Sequence, residues 1–571
     1  MSSVEEDARR SAEKHALVNA LRYDGTASQD AVMGAVMGED DRFPRNGGVV
    51  ANVVQSEIER VNALSVEEQR ARLENEFPNM VEELDSNEEE SAVLPDLPNV
   101  DEYDEVRMRL APNPNGSWHL GHARMPAVIG TYKQMYDGWM LCRFDDTDPK
   151  TKRPSLEAYD AILNSVEYLG FEPDDVVKAS DRVDEYYQYA RKLIKVDGAY
   201  TCTCDAETLR EKRRAGETCS HRSKDAETTM DEFEDMISGT YEEGDIVLRV
   251  KTDIEHKNPA IRDWVAFRII DKPHPRDEAQ EYRCWPALDF QSAIDDHEFE
   301  ITHIIRGIDL QDSAKRQQFL YDYFDWDYPE VVHWGRVEVD GFEVPLSASS
   351  INEAVERGEV DSWEDPRAPT LDAMKRRGVT GQAIVESMVE LGMSKSNVTL
   401  STDTVYHKNT QVIDDDTDRY FLVREPYRKI QVTDGADAGT PPVHPDHDDR
   451  GVRTIPVNTG VCIEEEDIPD DGDRVWLKGY GCVRYNGDSF AYIEDADPSI
   501  IHDENLAVIH WAPIEENREV TLRTPSGNKT GVAEPTLNTA AIGDTIQFER
   551  VGFARLDSKT GDSITAYYAH R

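Results

Sequence analysis

The sequence has few cysteines, no long apolar run and far fewer basic than acidic residues. Seven cysteines, an odd number in 571 residues, do not indicate the disulfide framework of a small secreted protein. No apolar run approaches the roughly 18–20 residues that a membrane-spanning helix needs, and no secretory signal peptide is evident. These absences exclude a membrane-embedded or disulfide-stapled protein, and we expect a reducing cytoplasm.

The deficit of basic residues is the strongest feature of the composition. Lysine and arginine number 63 against 115 aspartates and glutamates, which gives a formal net charge of −52 and an isoelectric point near 4.6. Such a chain repels itself in dilute buffer, whereas molar salt shortens the Debye length to roughly 3 Å. The 38% hydrophobic content and nine tryptophans disfavour a disordered acidic protein. The composition therefore favours a folded protein of a salt-rich cytoplasm.

A chain of 571 residues is too long to fold around a single hydrophobic core, so we expect three or four domains. Residues 1–85 follow a helical pattern, in which small apolar residues recur at Val4, Ala8, Ala12 and Ala16. Ser3 and Glu6 predict a capping box at the start of this pattern. Residues 85–101 contain three consecutive glutamates and two prolines, which is typical of a linker.

The pattern of predicted secondary structure changes along the remainder of the chain, from mixed strands and helices to short strands. Residues 101–200 follow the order strand, turn, helix and strand, which is typical of a βαβ unit in an α/β fold. Residues 369–392 predict a pair of helices. From about residue 400 short alternating segments predict strands, and Asn486-Gly487 between two of them indicates a hairpin. The C-terminal third is therefore predicted to form one or two β-barrels.

Two histidines, His119 and His122, open a predicted helix that follows a strand and a turn rich in Pro, Asn and Gly. This arrangement favours phosphate, because free N–H groups and the helix dipole face the anion. Imidazoles one turn apart can donate hydrogen bonds as charge moves toward a leaving pyrophosphate. The alternative is a capped helix with two surface histidines. The candidate phosphate-site residues are Pro112, Asn113, Pro114, Asn115, Gly116, His119, Gly121 and His122.

A charged segment, Cys142–Pro154, closes the predicted βαβ unit. Acidic residues at the carboxyl end of a parallel strand face the ligand crevice of an open α/β sheet. Asp145 is therefore a candidate to bind a substrate ammonium. The basic residues that follow are candidates for contact with a polyanion: Lys150, Lys152 and Arg153. The alternative is a solvated charged loop.

Three of the seven cysteines lie within eighteen residues, and a histidine follows them closely. Soft thiolates and an imidazole suit tetrahedral zinc, although the spacing is C-x-C rather than the commoner C-x-x-C. The alternative is a structural cluster of reduced thiols. The candidate ligands are Cys202, Cys204, Cys219 and His221. An adjacent basic cluster is a candidate for phosphate contact: Arg210, Lys212, Arg213 and Arg214. A second cluster at 375–377 is explained equally well by helix pairing.

Five separated motifs resemble the class I glutamyl- and glutaminyl-tRNA synthetases. The first two are Arg-Leu-Ala-Pro-Asn-Pro-Asn-Gly-Ser-Trp-His-Leu-Gly-His at 109–122 and Arg-Phe-Asp-Asp-Thr-Asp-Pro-Lys at 143–150. The others follow in the expected order at 289–297, 302–309 and 363–378. The resemblance covers about residues 101–570. The turn Ala-Pro-Asn-Pro and the run Asp-Asp-Thr-Asp-Pro are similar to the archaeal glutamyl type rather than to the glutaminyl enzymes.

The resemblance implies a fold and a domain order. It implies an α/β protein with a class I Rossmann-type nucleotide-binding catalytic domain at 101–365, into which an acceptor-stem-binding domain is inserted at about 196–280. A helical N-terminal extension and linker at 1–100 precede it, and a helical connector at 366–400 follows. Residues 401–571 are implied to form all-β anticodon-binding barrels.

The resemblance also implies roles for individual residues. Arg109 and Arg306 match the family's substrate arginines, and guanidinium groups suit the side-chain carboxylate of glutamate. By the same matching, Asp145 binds the substrate amine. The usual substrate tyrosine is Leu288 here, which removes one hydrogen bond to the substrate but not the recognition of charge.

A mobile catalytic loop of the family, Lys-Met-Ser-Lys-Ser or a variant, is implied at residues 345–350. Ser347 and Ser349 match catalytic positions of this loop, alongside the two histidines. The lysine that steadies pyrophosphate is replaced by Ala348. A literal Met-Ser-Lys-Ser at 393–396 follows the helical pair and is interpreted as a coincidence. Loss of a transition-state cation raises the barrier unless another group or a bound cation substitutes.

The implied activity is ATP-dependent attachment of L-glutamate to tRNA(Glu), with tRNA(Gln) open as a second acceptor. ATP with Mg²⁺ is the implied cofactor, zinc is a structural candidate, and a monomer with no DNA or membrane partner is expected. The alternatives are a glutaminyl-tRNA synthetase, a tRNA-binding protein without catalysis and a tRNA-modifying relative. The retained histidines and arginines disfavour the second, and the β-rich C-terminal third disfavours the last. The role of residues 1–85 is open between partner docking and structural support.

Overall fold

A computed structural model describes residues 3–22, 26–39, 42–43, 47–77, 80, 94–342, 344, 346–494 and 496–571. The chain divides into two compact units, Met1–Val93 and Leu94–Arg571. None of the helices in the described ranges combines the length and apolar character that crossing a membrane requires. Each unit has its own buried apolar core.

The N-terminal unit is helical, as its apolar pattern predicts. Its helices are α1 (Ser3–Arg22), α2 (Gln29–Glu39), α3 (Gly47–Asn62) and α4 (Val66–Glu76). α1 packs against the other three, and the small residues at its four-residue spacing, Ala8, Ala12 and Ala16, are fully buried. The side chains of the predicted Ser3–Glu6 capping box lie outside the described residues, as does most of the predicted linker.

The first part of the larger unit alternates strands and helices. Its strands are β1 (Arg107–Leu110), β2 (Trp139–Phe144), β3 (Asp175–Lys178), β4 (Ala199–Cys202), β5 (Val247–Val250), β6 (Val265–Ile269), β7 (Cys284–Pro286), β8 (His303–Gly307), β9 (Glu330–Trp334), β10 (Val337–Val339) and β11 (Val398–Leu400). Its α-helices are α5 (Arg124–Tyr136), α6 (Leu156–Tyr168), α7 (Val183–Lys195), α8 (Ala206–Ala215), α9 (Ala226–Ser238), α10 (Leu288–Glu298), α11 (Gln311–Phe324), α12 (Ala348–Glu356), α13 (Leu371–Arg377), α14 (Gly381–Glu390) and α15 (Thr402–Ile413).

Parallel strands form the centre of this part. β1, β2 and β3 pair in the order β3-β2-β1, and β8 pairs with β9. The Thr302 N–H donates to the Arg107 carbonyl oxygen at 2.9 Å, so β8 lies beside β1. The predicted βαβ opening is confirmed. Because parallel strands end at the same edge, the residues after β1, β2, β8 and β9 share one crevice.

An antiparallel four-stranded sheet, β4-β5-β6-β7, interrupts the parallel strands. α7 and α9 contact its first strand, and Phe233, Phe267 and Trp285 are fully buried in its apolar core. Its last strand leads directly into α10, which begins at Leu288. The insertion therefore ends at the wall of the crevice.

The C-terminal part consists mainly of two seven-stranded sheets, with the orders β21-β18-β19-β20-β14-β17-β22 and β12-β25-β26-β27-β23-β24-β13. Its elements are β12 (Arg419–Tyr420), β13 (Leu422–Arg424), β14 (Tyr427–Thr433), β15 (Ala438–Gly439), β16 (Ile455–Pro456), β17 (Gly460–Glu464), β18 (Arg474–Leu477), β19 (Gly481–Tyr485), β20 (Ser489–Tyr492), α16 (Ile500–Asp503), β21 (Val508–Ile509), β22 (Ala512–Pro513), β23 (Arg518–Thr524), β24 (Gly527–Ala533), β25 (Thr545–Phe548), β26 (Gly552–Thr560) and β27 (Ser563–His570).

The predicted hairpin is confirmed, but the strands begin later than the sequence pattern predicts. β19 and β20 pair antiparallel, and Gly487 between them has a φ of +82°, which suits glycine. The strands of the two C-terminal sheets begin only at Arg419, because Thr402–Ile413 form α15. Ser401 caps this helix by accepting a hydrogen bond from the Asp403 N–H. Its buried face has four-residue spacing: Val405, Asn409 and Ile413.

The packing of α5 generates a stability prediction. A Cβ at Gly130 would lie 2.3 Å from a ring carbon of Phe171. We expect Gly130→Ala to lower the free energy of unfolding by about 1–3 kcal/mol, because the extra methyl overpacks this contact. Denaturant unfolding in molar KCl measures the change. Gln134→Ala, on the exposed side of the same helix, is the control and should shift it by less than about 0.5 kcal/mol. A Gly130→Ala protein as stable as the wild type contradicts the tight contact.

Candidate functional site

The predicted phosphate turn follows β1 and is held against the end of β2. The Asp145 N–H donates to the Pro112 carbonyl oxygen at 2.9 Å, and the Asn113 side-chain N–H donates to the Asp145 carbonyl oxygen at 2.7 Å. The Ser155 N–H donates to the Pro114 carbonyl oxygen at 2.8 Å. These bonds fix the turn at the crevice where the two strands end.

His119 and His122 stack on each other beside this turn. Their ring centroids are 3.7 Å apart, and the His119 N–H donates to His122 Nδ1 at 3.2 Å. A 3-10 turn spans Leu120–Ala123, and α5 begins only at Arg124. The imidazoles are therefore in ring contact and do not lie one turn apart on an α-helix, which corrects the sequence prediction.

A backbone bridge explains why the α-helix begins late. The Leu120 N–H donates to the Pro369 carbonyl oxygen at 2.8 Å, and the Leu371 N–H donates to the Trp118 carbonyl oxygen at 3.0 Å. This bridge needs extended backbone at His119, whose φ and ψ are −85° and 166°. Helical hydrogen bonding is therefore displaced past the histidines, and the segment before α13 holds the histidine turn.

Gly121 lies where two neighbouring side chains converge. A Cβ there would lie 2.9 Å from Leu346 Cδ2 and 3.2 Å from the His119 ring, so only glycine fits without a shift. The contact between Leu346 and Gly121 shows that the segment matched to the family's mobile loop packs directly on the histidine turn. The remaining predicted phosphate-site residues, Asn115 and Gly116, lie in the turn that precedes the histidines.

Ser347, predicted to be catalytic, is the N-cap of α12. Its Oγ accepts a hydrogen bond from the Ser350 N–H at 3.1 Å and donates to Ser350 Oγ at 2.7 Å. The side chains of Ala348 and Ser349 lie outside the described residues. The hydroxyl of Ser347 is thus engaged in starting a helix beside the histidine turn.

Both stacked imidazoles are neutral near pH 7. Burial, the neighbouring His122 and the charge of Arg336 lower the pKa of His119 to about 3, and burial lowers the pKa of His122 to about 4. In the described part of the chain, His119 Nδ1 is buried and has no hydrogen-bond partner. The pair can therefore donate hydrogen bonds to an anion but supplies no positive charge.

Buried charges form one wall of the crevice. Arg143, on β2, is fully buried; its Nε donates to Asp145 Oδ1 at 2.8 Å and its Nη1 to Asp296 Oδ1 at 2.9 Å. Arg109, on β1, also donates to Asp296 Oδ1, from its Nε at 3.0 Å. Although burial opposes the effect, Arg109 and Arg143 hold the pKa of Asp296 below its usual range. One carboxylate thus fixes arginines from two neighbouring strands.

Asp145 presents one occupied and one open oxygen. Its Oδ1 accepts hydrogen bonds from Arg143 Nε and, at 2.7 Å, from Gln291 Nε2. Thr147 Oγ1 donates to Gln291 Oε1 at 3.0 Å and so orients that amide. No residue among those described donates to Asp145 Oδ2. This oxygen can therefore accept a hydrogen bond from a cationic group.

A cavity of about 520 Å³ brings together the three residues predicted to bind the amino-acid substrate: Arg109, Asp145 and Arg306. Arg306, on β8, is 6% exposed and donates from Nη2 to Gln317 Oε1 at 3.1 Å. Its Nε is buried without a partner among the described residues. Burial and the nearby Arg109 lower the pKa of Arg306. The cavity is therefore suited to an anion.

The basic residues that follow β2 differ in whether they line this cavity. Lys152 lines it, whereas Lys150 pairs with Glu243 and Arg153 donates to backbone carbonyl oxygens. Leu288, at the position of the family's usual tyrosine, also lines the cavity. Of the three basic candidates, only Lys152 is therefore placed to face a ligand here.

The four predicted metal ligands converge at the end of β4. Cys202 Sγ lies 3.7 Å from Cys219 Sγ, and His221 Nδ1 lies 3.5 Å from the sulfurs of Cys202 and Cys204. All four donor atoms lie within 4.8 Å of one another. A zinc tetrahedron, with Zn–S near 2.3 Å and Zn–N near 2.0 Å, has edges of about 3.8 Å between sulfurs and about 3.5 Å between sulfur and nitrogen. The donor set therefore fits a tetrahedral metal.

The two predicted basic clusters differ in their surroundings. On α8, Arg210 and Arg214 are exposed and have no acidic partner within the described ranges. On α13, Arg376 donates to both oxygens of Asp557, at 3.0 and 3.1 Å, and Arg377 donates to backbone carbonyl oxygens of β27. The second cluster therefore anchors α13 to the C-terminal sheet, which is a structural role but is helix-to-sheet packing and not the helix pairing that the sequence suggested.

Sequence reasoning missed several residues of the site. The most important are Arg143, Asp296, Gln291, Gln317 and Arg336. Arg143 is the one charged residue in the otherwise apolar strand β2, and this contrast is a signal of a buried ion pair. Asp296 lies in the polar helix α10 and has no such signal. The two glutamines and Arg336 have no comparable local signal.

Comparison with known proteins agrees with this geometry. The model of the family "tRNA synthetases class I (E and Q), catalytic domain" matches residues 105–415, and models of the anti-codon binding domain match 417–494 and 508–557. The chain is similar to a glutamate–tRNA ligase of Haloarcula marismortui, with 56% identity over 568 residues and 98% of each chain covered. It is also 56% identical to that of Natronomonas pharaonis over 562 residues, again with 98% of each chain covered. The Pyrococcus furiosus glutamate–tRNA ligase is 39% identical over 572 residues, covering 98% of this chain and 99% of that protein.

The neutral histidines predict a pH-dependent loss of stability. An imidazole with a pKa of about 3 in the folded state and near 6.5 in the unfolded state gives stability that is complete above pH 6.5 and is lost as the pH falls toward 3. For one histidine the loss between pH 7.5 and 5.5 is about 1.4 kcal/mol. We therefore expect His119→Asn to lose about 1.4 kcal/mol less than the wild type over this range, measured by urea unfolding in molar KCl.

The control for this comparison is His502→Asn, because His502 is exposed. It should lose as much stability as the wild type. Equal losses in His119→Asn and the wild type contradict a half-buried, neutral imidazole at position 119.

Proposed function

The chain belongs to the class I tRNA synthetases for glutamate and glutamine, and from this premise we propose that it is a glutamate–tRNA ligase. In this reaction the α-carboxylate of glutamate displaces pyrophosphate from ATP, and the glutamyl-adenylate transfers its acyl group to the terminal ribose of tRNA(Glu). Positioning and charge stabilisation carry such chemistry, so no covalent nucleophile of the enzyme is required.

The buried, unpartnered Nε of Arg306 carries this proposal. A buried donor without a partner costs about 1–3 kcal/mol, and a ligand carboxylate removes that cost. Arg109 lines the same cavity and shares the carboxylate of Asp296 with Arg143. A ligand with an anionic side chain balances the remaining positive charge, whereas the amide of glutamine does not. The charge of the cavity therefore favours glutamate.

The other site residues complete the assignment. Asp145 Oδ2 accepts a hydrogen bond from the substrate ammonium, since its Oδ1 is already occupied. His119 and His122 donate hydrogen bonds to phosphate oxygens of ATP as neutral groups. Mg²⁺ bound with ATP neutralises part of the phosphate charge. These roles place the amino acid in the cavity and the phosphates toward the histidine turn.

The remaining domains are assigned to the tRNA. We assign the four-stranded insertion, with zinc held by the four converging donors, to the acceptor stem, where Arg210 and Arg214 contact phosphate. The two C-terminal sheets are assigned to the anticodon arm. A monomer in a salt-rich cytoplasm fits the net charge of −52.

Aminoacylation in molar KCl tests the function and the role of Arg306 together. The wild type is offered labelled glutamate or glutamine with purified tRNA(Glu) or tRNA(Gln). We expect glutamate to be attached and glutamine not, and we expect Arg306→Gln to lower kcat/KM for glutamate by at least about 100-fold, since losing a buried charge-assisted contact costs about 3 kcal/mol. Glutamate on both tRNAs identifies a non-discriminating ligase, and glutamate on tRNA(Glu) alone a discriminating one.

Arg283→Gln is the control for the loss of a guanidinium, because Arg283 lies outside the cavity and pairs with Asp271. It should keep kcat/KM within about twofold of the wild type. Charging of glutamine but not glutamate supports a glutaminyl enzyme, and tRNA binding without charging supports a protein that has lost catalysis. A fully active Arg306→Gln enzyme contradicts the assigned role of Arg306.

Metal analysis tests the zinc assignment. We expect one zinc per chain by elemental analysis after dialysis, and Cys219→Ser to reduce zinc content by at least about tenfold, because three ligands no longer close the tetrahedron. Cys482→Ser, at a buried thiol elsewhere, is the control and should retain full zinc content. A wild-type protein that binds no zinc even after incubation with the metal contradicts the assignment.

A further inference from the structure

We propose that Gln317 is a positioning residue that determines specificity, because it holds Arg306 with a neutral oxygen and leaves the charge of that guanidinium for the substrate. The inference rests on the proposed function, since it concerns how the same cavity chooses between glutamate and glutamine. Arg306 is 6% exposed and Gln317 is 1% exposed, and both line the cavity. Their contact is therefore part of the wall that faces a bound amino acid.

The orientation of the Gln317 amide is fixed on both sides. Its Oε1 accepts hydrogen bonds from Arg306 Nη2 at 3.1 Å and from the Tyr328 hydroxyl at 2.9 Å. Its Nε2 donates to Ser292 Oγ. The reversed amide would point its N–H groups at the guanidinium, which has only donors. Gln317 therefore presents its oxygen to Arg306.

The Tyr328 hydroxyl supports this orientation as a neutral donor. Burial raises the pKa of Tyr328 to about 12, so the hydroxyl keeps its proton near pH 7. The same hydroxyl oxygen lies 3.5 Å from Arg306 Nη2. Tyr321 packs edge-on against the Tyr328 ring, with 4.8 Å between the ring centroids. The side-chain acceptors that Arg306 has in the described part of the chain are thus uncharged.

This arrangement differs from that of the other arginines around the cavity. Arg109, Arg143 and Arg268 each pair with a carboxylate. A chain with 115 acidic residues has carboxylates in excess, yet the buried partner of Arg306 is an amide. A glutamate at position 317 would have nearly the same shape as glutamine and would cancel the charge. The neutral partner therefore keeps an unbalanced positive charge in the cavity.

Arg306 also keeps an N–H group for a ligand. Its Nε is buried and has no hydrogen-bond partner among the described residues. Because the guanidinium is planar, the contacts at Nη2 with Gln317 and Tyr328 also restrain the direction of the other N–H groups. Such a planar set of donors suits the two oxygens of a carboxylate, whereas an amide offers it only one oxygen. The position and the charge of Arg306 thus both favour glutamate.

Calorimetric binding of the sulfamoyl-linked analogues of glutamyl- and glutaminyl-adenylate, in molar KCl, tests the proposal without turnover. We expect Gln317→Glu to weaken binding of the glutamyl analogue at least about 100-fold, because the new carboxylate takes the charge that the ligand needs. The affinity for the glutaminyl analogue should change by less than about fivefold. Gln318→Glu adds the same charge at the exposed neighbouring position of α11. This matched control should leave both affinities within about twofold of the wild type.

Two further variants separate an electrostatic role from a merely structural one. In the Arg306→Gln background, adding Gln317→Glu should weaken binding of the glutamyl analogue by less than about threefold further, because an unpaired buried glutamate takes up a proton and adds no charge. Gln317→Met removes the acceptor but adds no charge. It should weaken binding of the glutamyl analogue about tenfold and still bind it more tightly than the glutaminyl analogue. This variant keeps the proposal testable if Gln317→Glu does not fold.

The charging assay distinguishes failure of this proposal from failure of the proposed function. If the wild type charges no glutamate yet prefers the glutamyl analogue, and Gln317→Glu removes that preference, the proposed function fails and the specificity role stands. If a folded Gln317→Glu protein keeps the wild-type preference, the specificity role is overturned, whether or not glutamate is charged. Loss of the preference in Gln318→Glu or in Gln317→Met overturns it as well.

Discussion

The site depends on the buried guanidinium of Arg143. This group is shielded completely from solvent, and three carboxylates surround it: Asp145 and Asp296 at hydrogen-bond distance and Asp295 at 3.7 Å. A buried charge is tolerated only when its partners are in place, and removing one partner of a buried pair typically costs about 3–5 kcal/mol. Arg143 therefore fixes the end of β2 to α10, and with it the orientation of the carboxylate assigned to the substrate amine.

The same network determines the charge of the cavity. Asp296 binds both Arg143 and Arg109, whereas Arg306, on β8, pairs with no carboxylate among the described residues and keeps an unneutralised charge. The unbalanced charge is local, in a chain whose formal net charge is −52. At high salt the repulsion between the acidic surface residues is screened. Buried charges are screened far less, so the charge of Arg306 keeps its effect inside the cavity in molar salt.

Much of the site could be predicted because its residues stand in short contiguous motifs. Local spacing predicts the chemistry at three places: the strand–turn–histidine motif, the acidic end of β2 and the four metal donors. Gly487, which follows Asn486, predicts the hairpin in the same way. The stacking of His119 and His122 could not be predicted, because the bond from Leu120 to Pro369 connects residues far apart in the chain. The same holds for Arg336, whose place depends on Asn397 and Val398. The late start of the C-terminal strands reflects α15, a helix with a clear cap that the surrounding strand pattern obscured.

The central claim is that Arg306, which is buried and pairs with no carboxylate among the described residues, makes the cavity select a negatively charged side chain. Inhibition constants of the stable, sulfamoyl-linked analogues of glutamyl- and glutaminyl-adenylate test this claim directly, since the two ligands differ mainly in one charge. Measured with the wild-type protein in molar KCl, the glutamyl analogue should bind at least about 100-fold more tightly, which corresponds to about 3 kcal/mol for a buried charge pair. Equal affinities, or tighter binding of the glutaminyl analogue, would contradict the account.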